Sequence, residues 1–521
     1  MNDERYSSRS QAPRPDAAAD DEATWRGGPL TRRDVIRATA GVSLVSGIAA
    51  GFGRRSDAQP PGAVADLYSS VGALAEGIRR GELSSEALVN ACIARIRAVD
   101  PALNAVVRLS PDAAVTRARE ADAAAARGES WGPLHGVPMT IKDSLDTAGM
   151  ISTGGTLGRA SYVPASDATV VARLRGAGAV LLGKTNTPEL TLSFETDNLV
   201  HGRTNNPYDL RRTPGGSSGG AAAIVAAGGS PFDIGSDYAG SIRVPAHFCG
   251  IAGIKPTAGR VPRTGHAFPF GALQDSYQQL GPLARYVDDL ILLLPLIVGP
   301  DHVDPGVVEQ PWRDHAAVDL RSLRVAFHVD NGVATPEPSV RRAVEVAARA
   351  IAPDVLAVEE RRPAGIELGF EIGFALAAWD GGSAVRRLLA EAGTREHTLQ
   401  RFTEAAAIPS PDLEPLIARW YEWRSRMLSF MKDFDVILCP VNAHPAVPHG
   451  FTATPDSLAA FSYTVTFNAT GWPAAVVRAG TSPEGLPIGV QIAAGPGRED
   501  LVLAVAKLIE SRLDGFQPPP L

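Results

Sequence analysis

Residues 131–300 alternate short β-rich runs with helical pieces and glycine- or proline-containing loops, and this texture limits the fold more than any other feature of the chain. VPMTIKD, AVLLGKT and SPFDIGSD read as strands, whereas DATVVARLRGAG carries helical spacing. Apolar strands interleaved with helices predict an α/β fold, a sheet buried between helical layers. Upstream, residues 64–107 repeat apolar positions at three- and four-residue intervals, and Ser84-Ser85-Glu86 marks a helix start. A second helix is expected from Pro111 to Arg127. Residues 300–430 read as more helical; DVILCPVNA and GLPIGVQIAA then read as buried strands and REDLVLAVAKLIESRL as a closing helix. No tandem repeat occurs and no long linker follows residue 62, so residues 62–515 are expected to form one large domain.

The chain's 521 residues are 45% apolar and 21% charged, as in ordinary soluble globular proteins. A formal net charge of −7 lacks the basic footprint of a nucleic-acid binder. Cys92, Cys249 and Cys439 lie far apart without a CxxC or Cys/His cluster, which argues against a metal site and for buried free thiols. At the front, TRRDVIR (residues 31–37) precedes the modest apolar run ATAGVSLVSGIAAGF, shorter than the ~20 residues of a membrane span. Paired Arg32 and Arg33 ahead of that run, with small residues before QPPG, predict a twin-arginine-type export leader over residues 1–58. The protein is then exported to the periplasm or beyond, with the export machinery as a transient partner. A flexible tail on a cytoplasmic enzyme is the competing reading.

Two motifs tempt and fail. GAVLLGKT, Gly178 to Thr185, matches a phosphate loop, but AVLLG is itself a strand and Pro188 follows where a helix should open. GGSSG, Gly215 to Gly219, matches a nucleophile elbow, yet NNPYDLRRTP before it is a loop rather than a strand. His444 and His449 are the downstream histidines such an elbow could recruit. No histidine lies within ten residues of Ser217 or Ser218, although the pattern of serines in glycine turns recurs 24 residues on, at Ser241.

HGVPMTIKDSLDTAGMISTGGT, GGSSGGAAAIVAAG and GSDYAGSIRVPA follow one another with the spacing of the amidase signature family, which the chain resembles over about residues 65–515. FCGIAGIKPTAGRVP, GPLARYVDDL, DVILCPVNAHPAVPHG and FNATGWPAAVV extend the likeness. The resemblance implies a central mixed sheet covered by helices on both faces, and a Ser–Ser–Lys triad: Lys142 as base, Ser217 as relay, Ser241 as nucleophile. It implies no metal or organic cofactor. An exposed lysine, with a pKa of ~10.4, cannot act as a base at neutral pH. Lys142 follows the apolar VPMTI run, and burial disfavours its charged form. A neutral Lys142 would take the proton of Ser217, which takes that of Ser241.

By the same resemblance the Gly216–Ser217 bond is cis, Ser218 supports the network, and the amides of Tyr238, Ala239, Gly240 and Ser241 form an oxyanion hole. The family more commonly has a small residue or Thr, then Gly-Gly-Ser, at these positions; Tyr238 is expected to narrow the pocket beside the carbonyl. Asp237 and Arg243 are expected as a buried ion pair near the site, and Lys184 in a structural role. Phe467 and Trp472 read equally as core or pocket wall. Phe370, Phe374, Trp379, Trp420, Tyr421 and Trp423 hint at aryl or aliphatic substrates, or simply fill core. The implied reaction is hydrolysis of a small-molecule carboxylic amide to an acid plus ammonia or an amine. An amidotransferase A-subunit-like glutamine amidase, an ester, carbamate or lactam hydrolase, and a non-catalytic binding protein are the alternatives.

Overall fold

The computed structural model describes residues 66–521 apart from 272 and 274, so the leader expected over residues 1–58 lies outside the described residues. Helix Ser85–Leu103 starts where the serine pair predicts: the Ser84 side chain accepts from the Ala87 amide at 3.2 Å. Asn104 ends it in the left-handed conformation, φ 51°. Pro111 opens the next helix, which runs to Ala126.

The described residues form eleven strands: β1 (Val106–Leu109), β2 (Pro138–Lys142), β3 (Val180–Thr185), β4 (Phe232–Asp237), β5 (Ala252–Lys255), β6 (Gln279–Ala284), β7 (Arg324–Phe327), β8 (Ala357–Glu360), β9 (Val436–Pro440), β10 (Ala474–Thr481) and β11 (Pro487–Ala494). Eight of them form one sheet in the order β4-β6-β5-β10-β11-β9-β7-β8. Pairing is antiparallel from β4 across to β9. It turns parallel at β9–β7–β8, so the sheet is mixed.

Alternate strand residues enter different apolar clusters, as a pleated strand buried on both faces requires. Val436 and Leu438 of β9 and Val490 and Ile492 of β11 join a cluster with the helices Val287–Ile297, Pro338–Ile351 and Glu499–Arg512. Ile437, Cys439 and Ala493 point the other way, to Trp420, Trp423 and Phe467. Helices therefore cover both faces. The three cysteines are free and buried, as expected.

One feature departs from a single central sheet. β1, β3 and β2 form a separate three-stranded sheet, with β3 antiparallel to β1 and parallel to β2. It is joined to β4 and the loop before it by side chains: Thr185 Oγ1 donates to Asp233 Oδ2 at 3.0 Å, and the Thr140 amide donates to Ser230 Oγ at 3.1 Å. Lys142, at the end of β2, thus reaches the large sheet from outside it.

Candidate active site

Every residue of β2 is buried, and Lys142 at its end has 0% exposure. Its Nζ lies 2.6 Å from Ser217 Oγ, 2.9 Å from Ser218 Oγ and 3.0 Å from Ser236 Oγ. Burial pushes the Lys142 amine well below its ordinary range, against the opposing pull of the Asp237 and Asp233 charges. Three hydroxyls suit a neutral amine, which has two hydrogens to give and one lone pair to accept. Ser218 Oγ gives its hydrogen to the Ser236 carbonyl at 3.3 Å and so can only accept from Lys142. That leaves Ser217, the nearest of the three, or Ser236 to donate to the amine's lone pair. All three are buried, Lys142 at 0%, Ser217 at 1% and Ser241 at 5% exposure, so Ser241 is the most accessible of them and the amine the least.

Small residues make the serine placement possible. The Gly216–Ser217 peptide is cis, and a Cβ on Gly216 would lie 2.8 Å from backbone atoms of Phe194 and Glu195. The Gly/Ala helix Gly219–Ala226 follows, buried at all eight positions. The Ser218 amide donates to the Ser241 carbonyl at 3.1 Å, which docks the second serine turn on the first.

β4 sends successive residues to opposite faces: Ser236 toward Lys142, Asp237 toward Arg243. Asp237 and Arg243 form an ion pair at 2.8 Å with both side chains 0% exposed, as the sequence predicts. Arg243 also donates to the Thr464 carbonyl at 3.0 Å and to Gln491 Oε1 at 2.7 Å, and Asn468 Nδ2 donates to Asp237 Oδ1 at 2.8 Å. Burial would raise the Asp237 carboxyl, but the Arg243 charge and the bonds from Arg243 and Asn468 outweigh it and hold the group below its usual range.

The same carboxylate takes alternate amides of the turn. Gly240 N–H donates to Oδ1 at 2.8 Å and Ile242 N–H to Oδ2 at 3.1 Å. Gly240 is therefore removed from the expected set of oxyanion donors, because Asp237 already holds its hydrogen. Among the described residues, the amides of Ala239 and Ser241 have no acceptor. Tyr238 packs its ring on Phe268 and Tyr277, with centroids 6.1 and 5.7 Å away.

Other sequence candidates fall elsewhere. Lys184 is buried at the end of β3, bonded to the Leu145 carbonyl, Thr147 and Ser152, and burial pushes its pKa down to about 8. The 3-10 turn Glu189–Thr191 follows β3 in place of the helix a phosphate loop needs. His444 is bonded to Glu337. Trp420 and Trp423 are core, their indole N–H groups given to the Ala469 and Gly365 carbonyls, and Phe467 and Trp472 are buried beside them. Phe370, Phe374 and Trp379 are half-buried, and Tyr421 faces solvent. Sequence reasoning missed Ser236, Thr464, Asn468 and Gln491. The only signal for the second and third was their four-residue spacing, one face of helix Ser462–Ala469.

A family model described as Amidase matches residues 87–503. The chain belongs to the amidase family. This amidase is 34% identical over 470 residues to an acylamidase of Rhodococcus erythropolis, covering 84% of the chain and 94% of the relative. It is equally, 34%, identical over 484 residues to the A subunit of the glutamyl-tRNA(Gln) amidotransferase of Chloroflexus aurantiacus, covering 84% of the chain and 95% of the relative. The solved structure of a bacterial aryl acylamidase of the amidase signature family matches with a TM-score of 0.77 at 27% identity, covering 85% of this chain and 96% of that one. The protein is thus an amide hydrolase on the amidase signature fold.

Proposed function

We propose that this amidase cleaves a carboxylic amide through an acyl-enzyme on Ser241. Neutral Lys142 takes the Ser217 proton, Ser217 takes that of Ser241, and the freed Ser241 oxygen attacks the carbonyl. The negative oxygen that forms is held by backbone N–H groups of the 238–241 turn, chiefly Ala239 and Ser241. The proton on Lys142 returns through Ser217 to the departing nitrogen, and the C–N bond breaks. Water then attacks the ester by the same path and releases the acid. The observation that carries this reading is the sealed amine 2.6 Å from Ser217 Oγ.

The favoured substrate carries an aryl or aliphatic group. In support, the turn lies between two apolar clusters: Tyr238 packs against one with Tyr277 and Trp420, Ala239 against another with Phe461 and Tyr463. The enzyme is exported through its twin-arginine leader, on the strength of Arg32 and Arg33 ahead of the apolar run.

Lys142→Ala tests the relay. An amine leaving group needs a proton more than an alkoxide does, so amide turnover should fall further than turnover of the matched ester. A variant that keeps full amide turnover refutes the mechanism. The equal likeness to an amidotransferase component supports a second reading, a glutamine amidase. Release of ammonia from glutamine faster than turnover of benzamide and long-chain acyl amides would favour it.

A further inference from the structure

The oxyanion turn is pinned at one peptide by two residues far apart in sequence. The peptide between Ala239 and Gly240 presents its carbonyl oxygen to Thr464 Oγ1 at 2.7 Å and its N–H to Asp237 Oδ1 at 2.8 Å. In a trans peptide these two groups point in opposite directions, so a partner at each end fixes how the plane is rotated. Further along, the Ser241–Ile242 peptide is held in the same way, its carbonyl by the Ser218 amide and its N–H by Asp237 Oδ2.

The turn needs such pins because Gly240, at φ 130°, sits where an L side chain is strained and has no Cβ to resist rotation. A Cβ there would overlap Thr464 Oγ1, so the glycine and the threonine fit one another. Thr464 is itself held at both its carbonyl and its hydroxyl. It is 0% exposed, and its own carbonyl accepts from Arg243 Nη1 at 3.0 Å. Its hydroxyl lies also 3.0 Å from the Phe461 carbonyl, the local back-bond of a helical threonine, with the Ala239 oxygen the nearer of the two.

We propose that Thr464 is a positioning residue for acyl transfer: by holding the Ala239 carbonyl it sets the two neighbouring peptides, whose Ala239 and Ser241 N–H groups bind the oxygen of the tetrahedral intermediate. The inference rests on Ser241 as the nucleophile. Thr464 touches no reacting atom. Its effect belongs to the transition state, because the hydroxyl aims donors at an oxygen that moves and gains charge only there.

The test compares Thr464→Val, Thr464→Ala and Thr464→Ser on one amide substrate. Loss of an oxyanion donor slows turnover by about 100- to 1,000-fold, and two misaligned donors should cost a part of that, about 10- to 100-fold. Thr464→Val should lower kcat by at least about tenfold with KM within about twofold, and should weaken a trifluoromethyl ketone inhibitor by a similar factor. Thr464→Ser restores the hydroxyl and should restore kcat. Where the Val variant does not fold, Thr464→Ala must show the same split. A smaller fall in kcat, or a Ser variant as slow as the Val variant, overturns the proposal. A fluorophosphonate that fails to label Ser241 in the unaltered enzyme overturns the nucleophile reading instead. Labelled Ser241 with an undiminished Thr464→Val overturns only the role of Thr464.

Discussion

Replacing Lys142 by Met should stabilise the fold by an amount that shrinks as pH rises. The Lys142 side chain is fully buried and burial lowers its pKa far from the ordinary value of 10.5, so it is neutral where the unfolded chain still carries the charge. The unfolded state therefore binds one more proton, and stability of the unaltered protein rises with pH by about 1.4 kcal/mol per unit across that window. The penalty is complete below the folded pKa and vanishes as pH climbs through the unfolded value of ~10.4. Met has no such group. Its loss of three hydroxyl partners is a constant offset, because Ser217, Ser218 and Ser236 do not titrate. Lys184 and Lys255, pushed down to about 8 and about 7 by burial, give the unaltered protein further pH dependence, but both proteins carry them and they cancel in the difference. Urea unfolding of the pair at pH 7.5, 8.5 and 9.5 reads the effect. The stability difference should move steadily in favour of the lysine from the first to the last, at no more than about 1.4 kcal/mol per pH unit. A difference that stays flat means Lys142 is charged in the folded protein, and the proton relay fails with it.

Gly240→Ala places a side chain at φ 130° against buried Thr464 and should cut amide turnover by about 100-fold or more, with a lowered melting temperature from the strain and overlap. Arg243→Met leaves Asp237 buried without its counter-charge and should cost about 3–5 kcal/mol in urea unfolding at pH 7. In the unaltered protein Asp237, held below its usual range, contributes stability present above ~pH 4 and lost below it, so the deficit of Arg243→Met should narrow as pH falls below 4. Lys184→Met removes an amine bonded only within the 145–152 segment and should leave kcat within about twofold. Replacing Arg32 and Arg33 by Lys should retain the protein inside the cell, as cell fractionation would report, and unchanged secretion would end the export reading.

What the sequence made legible follows from how far each feature depends on its own neighbours. The two serine turns and the lysine after VPMTI are local text: glycines where the backbone must pass closely, apolar residues before a base that must be dry. The buried ion pair of Asp237 and Arg243 is six residues apart and equally local. Ser236 escaped notice although it stands one residue from Asp237, because a serine on a strand has no signature until something on the facing sheet meets it; here Lys142 does, from a sheet the alternation of strand and helix did not separate from the first. Thr464 and Asn468 lie more than 200 positions from the turn they hold and could only be found by folding the chain. The donors show the limit most sharply. Sequence can count four N–H groups between Tyr238 and Ser241, but which of them is already used depends on where the Asp237 carboxylate points. That orientation is set by Arg243 and Asn468, and the Arg243 side chain is in turn held by Gln491 on β11. A residue on another strand of the same sheet thereby helps decide which N–H groups of the turn are already bonded, so that pattern is a property of the assembled core rather than of the turn's own sequence.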